Sequence, residues 1–291
     1  MNQENEEKIN YDTLVLSGGA VKGFIILGAI QALFDLKLLN NIKNYYGTSI
    51  GAIICYMLAI GYTPIELMVE MHINRCLERM QFFNIVAMTN GNGATSFTAL
   101  QETLEKLTIN KIGEYITLGK LKEKYGKTLI VSTYNMTTCK MEYISPDKHP
   151  DIPCLTALRM SSNLPLIFDR FKYMDCFWVD GGIFDNFPIL KAQELGNKII
   201  GINLKIDDKS LQDNPDDSII TYFFRLLQVP ISQSTQYRIE QAGNKCTIIS
   251  VNSNALQTTL EFNIDNKSRL EMFSSGYTQV KKYFEPIQVE L

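Results

Sequence analysis

Residues 44–60 run NYYGTSIGAIICYMLAI, and their reading decides the fold. Asn44–Tyr46 is strand-like, Gly47-Thr48-Ser49 is turn-like, and Ile50–Ile60 is an apolar helix ended by Gly61. A short strand, a glycine turn and an apolar helix form the βα unit of a parallel sheet. The pattern occurs once earlier, where Thr13–Ser17 leads through Gly18-Gly19-Ala20 into an apolar run from about Lys22 to Leu39.

Outward from these units the same class of signal continues. Thr63-Pro64 opens a helix as N-cap and first residue, with Leu67, Met68 and Met71 as its buried stripe. Asn90–Gly93 reads as a loop and Ser96–Leu107 as an amphipathic helix capped by Ser96. Thr128–Thr133 and Lys140–Ser145 read as neighbouring strands, followed by a polar loop to Asp151 and a helix over Ile152–Ser162. Tyr173–Val179 is a strand ending at Asp180-Gly181-Gly182; Pro188–Leu195 is a short helix and Lys198–Ile202 an apolar strand. An acidic loop follows to Asp217. Helices over Ser218–Gln241 and Ser268–Tyr283 then flank strands near Thr247–Val251 and Thr258–Phe262. The fold class expected is α/β, a three-layer α/β/α arrangement with a mostly parallel central sheet.

Composition narrows the function. A net charge of -3 gives no reason to expect nucleic acid, which wants a basic patch. Long-range attraction to anionic lipid is equally disfavoured, so any membrane contact must be local and apolar. The six cysteines are scattered without a CxxC pair and read as free and mostly buried, as in a reducing compartment. MNQENEEKIN has neither the basic nor the apolar region of a signal peptide, and the longest apolar runs fall short of a membrane span. A cytoplasmic location is the default expectation.

Three motifs carry chemistry. Gly47-Thr48-Ser49-Ile50-Gly51 matches G-x-S-x-G, a sharp strand-to-helix turn that presents a serine hydroxyl at a sheet edge. The familiar partner would be a late histidine, but the only histidines are His72 and His149, on a helix and in a polar loop. A base for Ser49 should therefore be a carboxylate or a lysine. Asp180, at a strand end and followed by two glycines, is the best carboxylate; in a parallel sheet it would project from the same edge as Ser49. Gly18-Gly19-Ala20-Val21-Lys22-Gly23 opens a helix after the first strand, so its backbone N–H groups can hold an anion. Either a phosphate cradle or an oxyanion hole needs that geometry. The spacing fits neither a P-loop nor the dinucleotide fingerprint, which weakens a nucleotide-binding reading.

In this order the motifs resemble the patatin-like phospholipase family, with its G-G-G-x-[KR]-G loop, G-x-S-x-G elbow and later D-G-[GA] motif. Ser161-Ser162-Asn163-Leu164-Pro165 and Asp185-Asn186-Phe187-Pro188 also look like the segments around the acid motif. The resemblance spans about residues 12 to 204. It implies a patatin-like core over 11–205; the polar start (1–10) reads as a disordered tail, and 206–291, outside the resemblance, as a helical and strand extension packed on the core. It implies a lipid acyl hydrolase of phospholipase A or lysophospholipase type, with no cofactor and no metal in the chemistry. Ser49 would be the nucleophile and Asp180 the base, with Gly18, Gly19 and Ala20 as the oxyanion hole. Lys22, where the family has Arg or Lys, would hold the loop or meet substrate phosphate. Ala20 departs from the family's third glycine, and its Cβ costs about 1 kcal/mol or more if the position needs φ > 0. The implied partners are a phospholipid or other acyl ester and the surface of a membrane or micelle. The apolar positions Phe82, Phe83, Ile85, Val86 and Met88 could form a lid or ordinary core. A catalytically silent lipid-binding or scaffold module of the same fold is the alternative.

Overall fold

The computed structural model describes residues 10–80, 84, 86, 93–206, 219–253 and 264–285. The outer part of the expected tail, most of the apolar lid positions, the acidic loop and the strand near Thr258–Phe262 lie outside them. The described residues form one eight-stranded sheet layered between helices. Its centre is parallel: β1 (Thr13–Leu16) lies between β2 (Asn44–Gly47) and β7 (Ile199–Ile206), with β3 (Thr128–Asn135) beyond β2 and β8 (Cys246–Ser253) beyond β7.

Alternation along the strands explains the three layers. Leu14, Leu16, Tyr45, Leu129, Val131, Ile200 and Ile202 belong to one buried cluster. Their neighbours Val15, Tyr46, Ile130 and Ile199 belong to the other, because successive side chains point to opposite faces. The larger core lies under α1 (Gly23–Asp35), α2 (Ile50–Ala59) and α10 (Asn266–Phe284), and the smaller under α8 (Ile189–Ala192). Glycine lets α1 and α10 touch backbone to backbone: a Cβ on Gly28 would overlap the Phe273 carbonyl, and one on Gly276 the Ile25 carbonyl.

Several local expectations are met. α3 (Pro64–Ile73) starts with a full capping box, in which Thr63 and Glu66 satisfy each other's backbone N–H groups. Only Leu67 of its expected stripe is fully buried; Met68 and Met71 are half-buried. α4 (Cys76–Arg79) is a single turn, and α5 (Thr98–Ile112) begins two residues later than expected, although Ser96 Oγ still accepts the Thr98 N–H. α6 (Leu118–Tyr125) was not anticipated. All six cysteines are free, but only Cys55, Cys76 and Cys154 are buried. No single helix among the described residues is long and apolar enough to cross a membrane.

One expectation needs correction. The strand read as Tyr173–Val179 is a hairpin, β5 (Phe171–Tyr173) and β6 (Cys176–Asp180), turning through Met174 and Asp175, both at positive φ. β6 runs antiparallel to β3, not parallel with the centre of the sheet. β4 (Lys140–Ile144) takes one edge of β3 over Val131–Asn135. β2 and β6 therefore share the other edge: β2 pairs as far as Val131, and β6 begins its pairing at Thr133. The two strands meet nearly end to end, with only Ser132 between their registers.

Candidate active site

Ser49 follows the end of β2, and Asp180 is the last residue of β6, so the end-to-end meeting of the two strands brings them together. Both side chains line one cleft, and the Ser49 hydroxyl lies near enough to favour the ionised Asp180 carboxylate. Asp180 thus reaches the nucleophile's edge by entering from beyond it, not by running parallel to it.

The elbow is held against its own strain. Ser49 has φ 54 and ψ −124, outside the ordinary regions for a residue with a Cβ. Such a backbone costs on the order of 1–3 kcal/mol and persists only where its surroundings fix it. Here the Ser49 N–H donates to Ser161 Oγ at 3.0 Å, and the Gly51 N–H to the Thr48 carbonyl at 2.8 Å. Thr48 Oγ1 donates to the Asp185 carbonyl at 2.8 Å, which also accepts from Ser132 Oγ at 3.2 Å. Gly51 must be glycine, since a Cβ would lie 2.5 Å from the Ser17 carbonyl oxygen and 2.6 Å from that of Leu16.

Asp180 is 3% exposed. Burial pushes its carboxyl up to about 6, against the opposing influence of the nearby Ser49 hydroxyl and of the hydrogen bond from the Gly182 N–H at 2.7 Å. Desolvation wins because burial disfavours the charged form by more than these two neighbours favour it. The result is a group ionised at neutral pH yet basic enough to take a proton. The Asp180 N–H donates to the Asn163 carbonyl, and α7 (Cys154–Ser161) ends in Ser161, so this short stretch holds both Ser49 and Asp180.

In the Gly-rich loop, the Gly18 N–H is already spent on the Asn186 carbonyl at 3.0 Å, so Gly18 packs the site without offering a donor. The N–H groups of Gly19 and Ala20 have no acceptor among the described residues, and both residues line the cleft with Ser49 and Asp180. Ala20 has φ 46, so the departure from glycine falls on a position in the left-handed region, costing about 1–2 kcal/mol. Lys22 is buried and lines the same cleft of about 80 Å³. Burial lowers its ammonium pKa, and it has no carboxylate partner among the described residues. His72 is exposed, hydrogen-bonding Asn266, and neither it nor His149 lines the cleft. Among the described residues no cluster of three or more His, Cys, Asp or Glu side chains could hold a metal.

The surroundings of the cleft also draw on residues beyond the three motifs. Asp185 is fully buried, its Oδ2 accepting from Tyr143 OH at 2.5 Å and its Oδ1 lying 3.4 Å from Arg238 Nε. Desolvation raises its carboxyl above the ordinary range despite those partners. Arg238 belongs to α9 (Ile219–Glu240), whose Phe224, Leu227, Gln228 and Ile231 form one wall of the cleft. The C-terminal extension thus contributes to the site as well as a strand to the sheet. Of the suggested lid positions, Phe82, Phe83, Ile85 and Met88 lie outside the described residues, and Val86 is exposed.

The sequence model of the family described as patatin-like phospholipase matches residues 14–192. Over 199 residues the chain is 36% identical to "Probable lipid hydrolase 463L" of Invertebrate iridescent virus 6, covering 65% of each chain. It is 27% identical over 283 residues to "Uncharacterized protein R571" of Acanthamoeba polyphaga mimivirus, covering 92% of each. Among solved structures, VipD from Legionella pneumophila superposes with a TM-score of 0.56 at 17% identity, over 94% of this chain and 66% of that one, a likeness of fold.

Proposed function

The chain belongs to the patatin-like phospholipase family, and from that premise we propose that it is a lipid acyl hydrolase cleaving carboxylic esters through a Ser49–Asp180 dyad. The observation that carries the reading is the Ser49 hydroxyl lying in one cleft beside a buried carboxylate whose pKa is raised to about 6. A general base works best with a pKa near the operating pH. As Ser49 Oγ attacks the ester carbonyl carbon, its proton passes to Asp180, and the oxyanion is met by the N–H groups of Gly19 and Ala20. Each such donor is worth roughly 3–4 kcal/mol in comparable sites. Collapse breaks the ester C–O bond, Asp180 returns the proton to the leaving alcohol, and an acyl-Ser49 remains. Water then attacks that acyl group, giving one proton to Asp180, which passes it to Ser49 Oγ as the acid leaves.

The fatty-acyl substrate is of phospholipase A or lysophospholipase type. Lys22 supports a phosphate-bearing ester, because a buried ammonium without a carboxylate partner is favoured by an anion. Contact with a membrane or micelle fits α9, which turns Phe224 and Leu227 to the cleft and exposes Tyr222, Phe223, Leu226 and Val229 on its outer face.

A fluorophosphonate probe tests the dyad directly. Wild-type protein should label at Ser49, with a rate that rises with pH through an inflection near 6, since only ionised Asp180 can take the proton. Folded wild-type protein that stays unlabelled, or Ser49→Ala labelling equally, would leave the silent lipid-binding module as the better account.

A further inference from the structure

Two spaces of opposite character flank the cleft. Beyond Asn186 and Leu204 it opens into a basin of about 320 Å³, with Asn203, Lys205, Gln228, Gln233 and Gln236 in its lining. On the other side Ala20, which lines the cleft, also lines a second cavity of about 70 Å³. The lining of that cavity is almost wholly carbon. α1 and the turn before it contribute Ala20, Gly23, Phe24 and Leu27; α2 contributes Ile50, Ile53, Ile54 and Met57. α3 adds Leu67 and Met71, while α5 adds Leu100, Thr103, Leu104 and Leu107. These sets follow the i, i+3, i+4, i+7 spacing of one helix face. The one hydroxyl among them, Thr103 Oγ1, donates to the Ala99 carbonyl at 2.8 Å and so is already satisfied.

We propose that this cavity holds the acyl chain of the ester, while the polar alcohol portion lies on the side of the Asn186 basin. The inference rests on the hydrolase reading above. Position supports it: the cavity starts at Ala20 in the Gly-rich loop and at Ile50, the residue bonded to Ser49. It runs from there along the helices away from the sheet edge. Chemistry supports it too. A cavity lined by carbon has no partners for water and takes an apolar occupant instead, and native cores leave few such voids unfilled. From Ala20 to Leu27, or Ile50 to Met57, the lining extends about 10 Å at the helical rise per residue. An extended chain of about eight or nine carbons spans that length, since C–C bonds near 1.5 Å advance about 1.25 Å each along the zigzag. The substrate class is therefore an amphiphilic ester with a medium-length acyl chain.

The test is a chain-length series of p-nitrophenyl esters, acetyl to dodecanoyl, on wild-type protein, Thr103→Leu and Met71→Ala. In wild-type protein kcat/KM should rise about fourfold per methylene up to about eight carbons and then level or fall. Thr103→Leu, which fills the cavity, should lower the octanoyl-to-acetyl ratio at least tenfold. Met71→Ala, which lengthens it at a half-buried wall, should move the optimum to longer chains and serves alone if Thr103→Leu does not fold. The same profile in wild-type protein and the folded variants overturns the proposal. If wild-type protein cleaves no ester, the hydrolase reading fails, and calorimetry with octanoate on Ser49→Ala decides the cavity separately. Binding that weakens when Thr103→Leu or Met71→Ala is added supports the cavity; no binding, or equal binding, overturns it.

Discussion

Ser49 and Asp180 approach the same gap from opposite directions, and each is held there at a different kind of cost. Ser49 ends a parallel strand and carries its cost in the backbone, with φ 54 on a residue that has a Cβ. Asp180 ends an antiparallel strand with an unstrained backbone, φ −48 and ψ 129, and carries its cost as a desolvated charge. Ser49 is aimed by strain and Asp180 is tuned by burial. The first cost is independent of pH, whereas the second depends on it.

The largest effect expected is on turnover. Ser49→Gly should lower kcat by on the order of 10⁴–10⁶, and Asp180→Asn by roughly 10²–10⁴, measured on a short-chain ester. Stability should then separate the pair. Asp180 titrates near 3.9 in the unfolded chain and at about 6 in the folded one. Between those values the folded state holds the extra proton, so its stability falls as pH rises through 6. Asp180→Asn should therefore gain on the order of 1–3 kcal/mol at pH 8 and little at pH 4. Ser49→Gly should gain roughly 1 kcal/mol even at pH 5, the relieved strain less the entropy of a glycine. Urea unfolding of both variants at the two ends of this range checks the contrast. It breaks if Asp180→Asn gains equally at every pH.

Smaller changes sharpen the same picture. Gly51→Ala forces a Cβ against the carbonyls that end β1, so the elbow must open. A loss of about 2–4 kcal/mol, as for other overpacked or strained sites, should appear in the denaturation midpoint. Ala20→Gly should have the smallest effect, a gain below about 1 kcal/mol, because the left-handed strain it relieves is partly returned as glycine entropy. A loss of stability on that substitution would mean that the Ala20 methyl packs better than its backbone is strained.

The nucleophile side was legible because all its requirements are local. Strand, glycine turn and apolar helix follow one another in 44–60, and the Thr63-Pro64 cap follows directly. The base side was legible only as a residue. Asp180-Gly181-Gly182 marks a strand end, but nothing in a single strand's sequence states which way it runs. The hairpin that reverses it turns through Met174 and Asp175, where no glycine or Asn-Gly pair announces positive φ. The supporting hydroxyls of Ser132 and Ser161 and the carbonyl of Asn186 act across long stretches of chain, so only the tertiary structure assigns them. The Asn186 carbonyl also explains why Gly18, grouped with its neighbours on motif grounds, differs from them: its donor is occupied. α9 is apolar on both faces, which hides from the sequence which face closes the cleft.

Because β2 and β6 divide one edge of β3, the spacing of Ser49 and Asp180 is counted out on a strand that contains neither. β3 acts as a ruler graduated in residues, with Val131 marking one end of the gap and Thr133 the other. Such a ruler has no fractional settings. A slip of β6 by one position would move Asp180 by about 3.3 Å and turn its side chain to the opposite face of the sheet. The Ser49–Asp180 pairing is therefore specified in whole steps: an altered hairpin either restores the same register or separates the two side chains altogether, with no gradual series between.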